Sequence, residues 1–501
     1  MRQIGYQLFY RATGRLAERG EVARPQEQGK QKGAGEDGAA LPVTFSFLNQ
    51  EVTFDSPTAI DWNYAANGKL WTYNLNYFEF LQGMNPDDGL ALLRSWLAGA
   101  ASHKDGWEPY PTSLRLVSWI RFFVETGLSM PVDVADALEA QYRTLWRKIE
   151  FHLGGNHLLE NAIALSYTAA FLNDQDGQLK AWELLASELE EQYLPDGAHF
   201  ELSGMYHLVL LDRLLTLWHG LQTFPAPAAS PKKAALLQNS LERQLGWLQA
   251  FATPAGRYAH FNDSTDGIAP DVAATLNRAR KLGLLPIATK LKESGYRRWA
   301  TDHLDVWIDA AAIGPAYIPG HAHADNLTFV LDLNEVPCIV DPAISTYEKN
   351  ARRAWERSSE AHNTVTIGGQ NSSDVWGGFR VGKRAQTTIF EEKPYLLSAG
   401  HNGYGFPVRR TWQLTDQQLT ISDALPKGKE GIARLHFDHR CYLNLKNDHL
   451  VVNDQLRISW SAGTTRLLPY EQATGWNHLE PAQLLEVTFT DLLKTEITYL
   501  C

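Results

Sequence analysis

The sequence predicts an α+β protein in which a helical domain is followed by an antiparallel β domain. From about residue 70 to 300, apolar side chains recur at steps of three and four, the period of amphipathic helices. Near residue 302 the pattern changes to short alternating runs separated by Gly, Asn and Asp, which is typical of strands. A length of 501 residues agrees with more than one domain. We predict an N-terminal extension (1–60), a helical domain (61–300) and a β-sandwich (301–501).

Six segments carry the helical period, and the prolines at 86, 131 and 231 stand near helix starts, where proline is tolerated. The segments are LALLRSWLAGAAS, SLRLVSWIRFFVETG, VADALEAQYRTLWRKIEFHL, ENAIALSYTAAFL, LKAWELLASELEEQYL and YHLVLLDRLLTLWHGL. The short connections between them favour antiparallel neighbours, hence a bundle, a solenoid or a toroid. Residues 43–54 alternate as a hairpin does, and the polar, Gly-rich residues 20–41 predict a flexible surface segment.

Composition excludes several classes of protein. A formal net charge of −11 disfavours binding of nucleic acid through a general basic surface. Three cysteines are too few for a disulfide scaffold and suggest a reducing compartment. No apolar run reaches the ~18–20 residues of a membrane helix, and the N-terminus lacks the apolar core of a secretory leader. We expect a cytoplasmic protein without a membrane span, or a periplasmic or secreted one if a leader has been removed.

Two polar clusters open predicted helices. In GGNHLLEN, Asn156 is compatible with a helix cap or with a ligand contact, while His157 and Glu160 share one helix face and can hydrogen-bond. In FELSGMYH, Tyr206 is compatible with an ordinary half-buried aromatic residue. The neighbouring Glu201, together with a serine and a histidine, makes that segment unusually polar for the entry to a core helix.

Two further clusters lie in the β domain. In GHAHADN a strand would point His321 and His323 to the same side, which suits either a metal site or a pair of surface histidines. Asp341 ends the apolar run PCIVD, and His362 follows later. The N, O and N donors of His323, Asp341 and His362 fit zinc, with water or a further group completing the coordination.

Residues 348–384 contain seven Lys or Arg against four Asp or Glu, a local charge of +3 on an acidic chain. Such a patch is what an acidic polymer requires, although a solvated charged loop has the same composition. The basic residues are Lys349, Arg352, Arg353, Arg357, Arg380, Lys383 and Arg384.

The runs GHAHADNLTFVLDLNEVPCIVDPAISTY and RSSEAHNTVTIGGQNSSDVWGGFRVGKRA resemble the C-terminal domain of heparinase II/III-like polysaccharide lyases. GNHLLEN and ELSGMYH resemble two active-site segments of that family's helical domain. The resemblance covers roughly residues 70–460 and implies an incomplete (α/α) toroid followed by an antiparallel β-sandwich. It also implies β-elimination on a uronic-acid polysaccharide, which leaves a 4,5-unsaturated end. Ala322 and Ala343 stand where glycine is usual in the family.

The resemblance implies a role for each matching residue. Asn156 and His157 would face the substrate carboxylate, and Tyr206 and His321 would transfer protons, with the active site where the two domains meet. Either Tyr206 or His321 can be the base, and Tyr206 could serve if cationic neighbours lower its pKa. Glu160 would orient His157. One structural zinc ion per chain would be held by His323, Asp341 and His362, and the candidate residues for binding an acidic polysaccharide are Glu160, Glu201, Tyr347, Arg353 and Arg357.

Two other classes of function compete with a lyase. A glycoside hydrolase on a toroid needs two carboxylates that flank the bond, and Glu160 and Glu201 are the best candidates. That hypothesis leaves the Asn, His and Tyr set without a role. A non-catalytic carbohydrate-binding protein, for instance one that acts in capsule assembly, is the second alternative. Appearance of an ultraviolet-absorbing unsaturated sugar separates the lyase from both.

Overall fold

A computed structural model describes residues 42–224 and 231–500. It confirms the predicted fold class, since helices occupy the first part of the chain and antiparallel sheets the second. The segment 20–41, predicted to be flexible, lies outside the described residues. In the described parts of the chain, no helix is long and apolar enough to cross a membrane.

The helical part follows a hairpin of β1 (Val43–Phe47) and β2 (Gln50–Phe54), as the alternation predicts. Pro86 and Pro231 are the first residues of their helices and Pro131 caps another, as their positions in the sequence indicate. The helices are α1 (Lys69–Tyr77), α2 (Pro86–Gly99), α3 (Pro109–Thr126), α4 (Val132–Lys148), α5 (Gly155–Phe171), α6 (Gln175–Gln192), α7 (Gly204–Thr223), α8 (Pro231–Phe251) and α9 (Val272–Lys281).

Helix α3 is the centre of the first helices, because it contacts α1, α4 and α5. Its side chains are buried on nearly every face, including the fully buried Arg115. The Arg115 guanidinium donates to Gln141 Oε1 at 2.6 Å, to Gly106 O at 2.8 Å and to Asn76 O at 3.1 Å. It also lies 4.2 Å from the ring centre of Trp96. One buried cation therefore fixes several neighbouring segments through directed hydrogen bonds.

Three antiparallel sheets form the β part. Their orders are β3-β4-β5-β6, β18-β19-β14-β7 and β10-β11-β12-β13-β20-β17-β16-β15, and β8 pairs with β9. The strands are β3 (Tyr296–Ala300), β4 (Leu304–Asp309), β5 (Phe329–Leu333), β6 (Val336–Ile339), β7 (Val365–Thr366), β8 (Val375–Trp376), β9 (Arg380–Val381), β10 (Thr387–Lys393), β11 (Leu396–His401), β12 (Val408–Leu414), β13 (Gln418–Ala424), β14 (Glu430–His436), β15 (Leu443–Leu445), β16 (His449–Val452), β17 (Leu456–Trp460), β18 (Thr464–Gly475), β19 (His478–Thr490) and β20 (Leu492–Tyr499). A short helix, α10 (Ala351–Glu356), interrupts them.

The inner faces of these sheets share one apolar core, to which Leu331, Trp412 and Leu485 each contribute from a different sheet. Strand β12 shows the period of two that creates this face, since its alternate residues from Val408 to Leu414 are buried. Each fully buried large apolar side chain stabilises the fold by about 1.5–3 kcal/mol.

The described residues group into two compact units. The first comprises the residues up to 191 with 212–240, and the second comprises 192–211 with the residues from 241 onward. Tyr206 therefore belongs to the same unit as His321. The predicted domain boundaries at residues 60 and 300 remain predictions.

Arg410 is a charged residue on the inward face of β12, and its pairing is complete. It binds Asp423 through two hydrogen bonds of 2.6 and 3.0 Å, and its Nη1 donates to Leu327 O at 2.9 Å and Asn363 O at 2.6 Å. Both side chains of the ion pair are almost fully buried. The pair ties the large sheet to the loops before β5 and β7.

Arg410→Ala should lower the free energy of unfolding of the second unit by about 3–5 kcal/mol, because Asp423 would remain buried without its partner. Urea unfolding followed by circular dichroism measures this change. Arg457→Ala is the matched control, since Arg457 is half exposed and 3.9 Å from an exposed Asp448, and it should lose less than about 1 kcal/mol. Equal losses in the two variants would contradict this account of Arg410.

Candidate active site and metal-ligand cluster

Tyr206 and His321, the predicted proton-transfer pair, are in contact within the second unit. Their rings are stacked with centres 4.1 Å apart and planes 14° apart. Tyr206 occupies the first turn of α7, and its main-chain N–H donates to the Ser203 hydroxyl at 3.1 Å. The Tyr206 hydroxyl lies 2.8 Å from the hydroxyl of Tyr347, a predicted substrate-binding residue. The structure thus brings together three residues that are far apart in the sequence.

His321 is held by a carboxylate rather than by a strand. Its Nδ1 lies 2.5 Å from Oε2 of the buried Glu201, which was predicted to bind substrate. An ionised carboxylate only accepts hydrogen bonds, so His321 Nδ1 carries a proton in this contact. Glu201 is therefore a positioning residue in this arrangement.

The prediction that His321 and His323 lie on a strand and point to the same side is wrong. Residues 321–323 form a turn and a loop. The side chain of His321 contacts Glu201, whereas Nε2 of His323 lies 2.8 Å from Asp263 Oδ1. The two histidines consequently belong to different parts of the site.

Burial sets the protonation state of Tyr206. Loss of solvent raises its pKa well above the ordinary value, while the hydrogen bond from Tyr347 and the charge of Arg353 act in the opposite direction without overcoming burial. The lowered pKa that a tyrosine base requires is therefore absent in this structure. Tyr206 is a neutral phenol with a proton to donate.

Arg353, a predicted substrate-binding residue, is engaged by Asp263. The guanidinium donates to the two carboxylate oxygens at 2.5 and 2.7 Å, and both side chains are buried. Burial opposes ionisation of Asp263, yet Arg353 and His323 lower its pKa far below the usual range. The sequence does not mark Asp263 as a functional residue, because the run FNDSTD has no periodicity and is typical of an ordinary polar loop.

A buried cluster of donors that can hold a metal ion lies beside Asp263. His323, Asp325 and His362 each offer one ligand atom, and these atoms lie within 4.8 Å of one another. His323 Nδ1, Asp325 Oδ2 and His362 Nε2 are all buried without a hydrogen-bond partner. Burial raises the pKa of Asp325 to about 6. Two imidazoles and a carboxylate with unused ligand atoms suit zinc.

Asp341, the predicted third ligand, has another position in the structure. Its Oδ2 lies 2.7 Å from His362 Nδ1, and its Oδ1 accepts a hydrogen bond from the N–H of Ala343 at 3.1 Å. Asp325 offers the carboxylate of the cluster instead. Asp341 then supports His362 as Asp263 supports His323, and such carboxylates fix the tautomer of a ligating histidine.

In the first unit, Glu150 holds His157. Helix α5 begins at Gly155 and is capped by Gly154, both at positive φ, so that Asn156 lies buried in the first turn and is not the cap. His157 Nδ1 is 3.2 Å from Glu150 Oε1, and Asn161 Nδ2 donates to the other Glu150 oxygen at 3.1 Å. The prediction that Glu160 orients His157 is therefore wrong. Nothing in the local sequence pattern marks Glu150.

Residues 105–284 match the family description "Heparinase II/III N-terminus", and residues 285–476 match "Heparinase II/III-like, C-terminal". The chain belongs to the heparinase II/III family.

Known proteins that resemble this chain do so at low sequence identity. A heparin-sulfate lyase of Bacteroides stercoris is 24% identical over 381 residues, which are 66% of this chain and 53% of that protein, so the chain spans about half of this relative. A crystal structure of heparinase III superposes with a TM-score of 0.67 at 14% identity and covers 88% of this chain and 79% of its own. The Streptomyces coelicolor chondroitin AC lyase gives a TM-score of 0.52 at 11% identity, with 86% and 74% covered.

Glu160 is fully buried in the first unit, away from solvent and from hydrogen-bond partners. Both of its carboxylate oxygens lack a hydrogen bond, and the nearest guanidinium nitrogen, Arg213 Nε, is 3.9 Å away. Burial raises the pKa of Glu160 to about 7, against a smaller opposing effect of Arg213. A carboxylate in this position neither binds substrate nor flanks a glycosidic bond.

The raised pKa of Glu160 predicts a pH-dependent stability. Between pH 4.5 and 7 the unfolded chain releases this proton while the folded chain retains it, so rising pH favours unfolding by about 3 kcal/mol in total. Glu160→Gln removes this contribution. Between pH 4.5 and 7, the free energy of unfolding of the variant should therefore rise relative to that of wild type by about 3 kcal/mol. Urea unfolding at a series of pH values measures the gain. Glu190→Gln, at an exposed site of α6, should show none.

Proposed function

We propose that this protein is a lyase that cleaves an acidic, uronic-acid-containing polysaccharide by β-elimination. The observation that carries the proposal is the contact between the Tyr206 phenol and the His321 imidazole, whose Nδ1 is fixed by Glu201. Membership of the heparinase II/III family supports it, as do relatives that are named heparin-sulfate lyases.

The chemistry follows from the protonation states. The C5 proton of a uronic acid is only weakly acidic, so a base must lie close to it and the charge that builds on the carboxylate must be stabilised. His321 Nε2 takes that proton, and the C5–H electrons form the C4=C5 double bond as the C4–O bond breaks. The neutral Tyr206 donates its proton to the departing oxygen. The resemblance assigns stabilisation of the carboxylate to Asn156 and His157, and substitution of those residues tests that role.

The hydrolase alternative loses its two carboxylates. Glu201 is bound to His321, and Glu160 is fully buried. Inversion or retention at a glycosidic carbon requires two carboxyl groups that face the bond. Neither glutamate is available for that purpose, so we favour elimination.

Tyr206→Phe should reduce kcat by about 10²–10⁴-fold with little change in KM, because only the proton donor is removed. Absorbance of the unsaturated product from a panel of uronic-acid polysaccharides measures the rate. Tyr442→Phe, at a residue that is 64% exposed, is the control and should keep wild-type activity. A near wild-type kcat for Tyr206→Phe on a polymer that the parent degrades would show that the proposed proton donor is wrong.

We further propose one zinc ion per chain, held by His323, Asp325 and His362. Its role would be structural, since it would brace the loop that carries His321. The unused ligand atoms of these three residues support the proposal, as do the carboxylates of Asp263 and Asp341 behind the two histidines.

Asp325→Asn should abolish stoichiometric zinc and lower Tm, whereas Asp341→Asn should weaken zinc affinity by about 10–100-fold and still bind the metal in excess. Elemental analysis of tag-free protein after dialysis against zinc distinguishes the two variants. Loss of the metal from Asp341→Asn alone would restore Asp341 as the ligand. Folded wild-type protein with less than about a tenth of a zinc ion per chain would contradict the site altogether.

A further inference from the structure

A cavity of about 190 Å³ in the second unit is basic and partly aromatic. We call it the basic cavity. The side chains that define it are Lys349, Arg353, Arg357 and Trp376, and the main chain at Gly377 and Gly378 completes the wall. Among its lining residues none is acidic. This composition suits a ligand that carries negative charge.

Among the described residues, no carboxylate forms an ion pair with two of the three cations in the basic cavity. Arg353 is neutralised by Asp263. Arg357 is 1% exposed, and within the described residues only main-chain carbonyl oxygens accept its hydrogen bonds: Ala322 O at 2.9 and 3.2 Å and Arg380 O at 3.4 Å. Lys349 is exposed and forms no ion pair with any described residue.

The charge of Arg357 is only partly compensated, because Asp263 and Asp325 act on it without forming an ion pair. Burial lowers the pKa of Arg357 to about 10, so the guanidinium stays protonated at neutral pH. A buried cation without a directly paired anion is unfavourable, and an anion that enters from solvent would relieve this. Planar guanidinium groups bind carboxylate or sulfate oxygens in pairs, and lysine adds a point charge.

The basic cavity shares a wall with the proposed reaction centre. Arg353 Nε donates to Gly378 O at 3.1 Å, and the same guanidinium lies 5.0 Å from the ring centre of Tyr347. Tyr347 in turn contacts the Tyr206 hydroxyl. A ligand in the cavity is therefore separated from the proton donor by one layer of side chains.

Trp376 gives the basic cavity a surface for a sugar ring. Its indole is 51% exposed and lies against Gly382, where a β-carbon would come within 2.9 Å of the ring. The absence of a side chain at Gly382 lets the indole lie close to the backbone. Exposed indole faces stack on the C–H faces of sugars.

We propose that the basic cavity is a subsite for an anionic sugar unit that neighbours the unit being cleaved. Arg357 and Lys349 bind its sulfate or carboxylate group, and Trp376 stacks on its ring. The identity of the polymer rests on the proposed lyase function, but binding of the oxyanion does not require turnover. Lys349 and Trp376 are then residues that set substrate preference.

Calorimetric titration of a heparan sulfate tetrasaccharide into the full chain tests the subsite. Lys349→Ala and Trp376→Ala should each raise Kd about tenfold, the equivalent of 1.4 kcal/mol. Lys446→Ala, at an exposed lysine outside the cavity, should leave Kd unchanged. Arg357→Lys tests whether the paired N–H groups of the guanidinium are required for binding. If that variant fails to fold, Lys349→Ala and Trp376→Ala still test the subsite.

Chemically altered tetrasaccharides identify the anionic group that the basic cavity binds. If the cavity recognises sulfate, the desulfated tetrasaccharide should bind wild type and Lys349→Ala with equal Kd. If the cavity recognises carboxylate, the carboxyl-reduced tetrasaccharide should bind the two proteins with equal Kd. Wild-type Kd in both Lys349→Ala and Trp376→Ala, or no binding by wild-type protein, overturns the subsite. Binding that depends on Lys349 without any unsaturated product would overturn the lyase function and leave the subsite intact.

Discussion

The buried carboxylate of Asp263 is the interaction on which the rest of the second unit's site depends. Its side chain accepts from Arg353 and from His323, so that it joins the wall behind Tyr347 to the metal-ligand cluster. The main chain of Asp263 also contacts the segments that carry Tyr206 and His321. Asp263 O accepts from the Ser203 hydroxyl that holds the start of α7, and Asp263 N donates to His321 O at 3.1 Å.

This arrangement couples charge to geometry. Arg353 and His323 keep Asp263 ionised in spite of burial, whereas Tyr206, about one layer away, is kept neutral by the same burial. The site thus contains a fixed anion that holds the framework and a neutral acid that can give up a proton. Because His321 and His323 are separated by a single residue, an ion bound by His323 would restrict the loop that carries His321. A structural metal can in this way affect the rate without contact with the substrate.

The sequence predicts the elements well and the side-chain partners poorly, for a physical reason. Periodicity reports which face of a segment is buried, and the helices and strands follow it. Asp263 and Arg353 are 90 positions apart, and the pairing of His157 with Glu150 depends on a loop that has no period. Asp341 was predicted as a ligand from its position at a strand end, which does not reveal where a carboxylate oxygen points. Resemblance to the family identified Tyr206 and His321, because each lies in a short motif that is contiguous in the sequence.

At the two positions where alanine replaces the glycine usual in the family, the backbone conformation makes one replacement unfavourable and the other neutral. Ala343, where glycine is usual, has φ of 61°, a left-handed conformation that is unfavourable by about 1–2 kcal/mol for a residue with a β-carbon. Ala322 is not among the residues at positive φ, so a methyl group there introduces no comparable strain. The hydrogen bond from Ala343 N to Asp341 stabilises the strained residue locally. The two alanines therefore differ in consequence although they look alike in the sequence.

The net charge of a sequence segment also differs from the charge that is available to a ligand in the folded protein. The segment 348–384 carries +3, yet Arg352 binds Glu356 and Arg353 binds Asp263. Of the five cations that remain, Lys349 and Arg357 share one cavity, on a chain whose overall charge is −11. Since the overall charge disfavours polyanions, recognition of an acidic polymer depends on such local cations, and low dielectric strengthens contact with the buried Arg357. Substrate choice would then depend on a few local cations, whereas the proposed chemistry depends on a phenol and an imidazole.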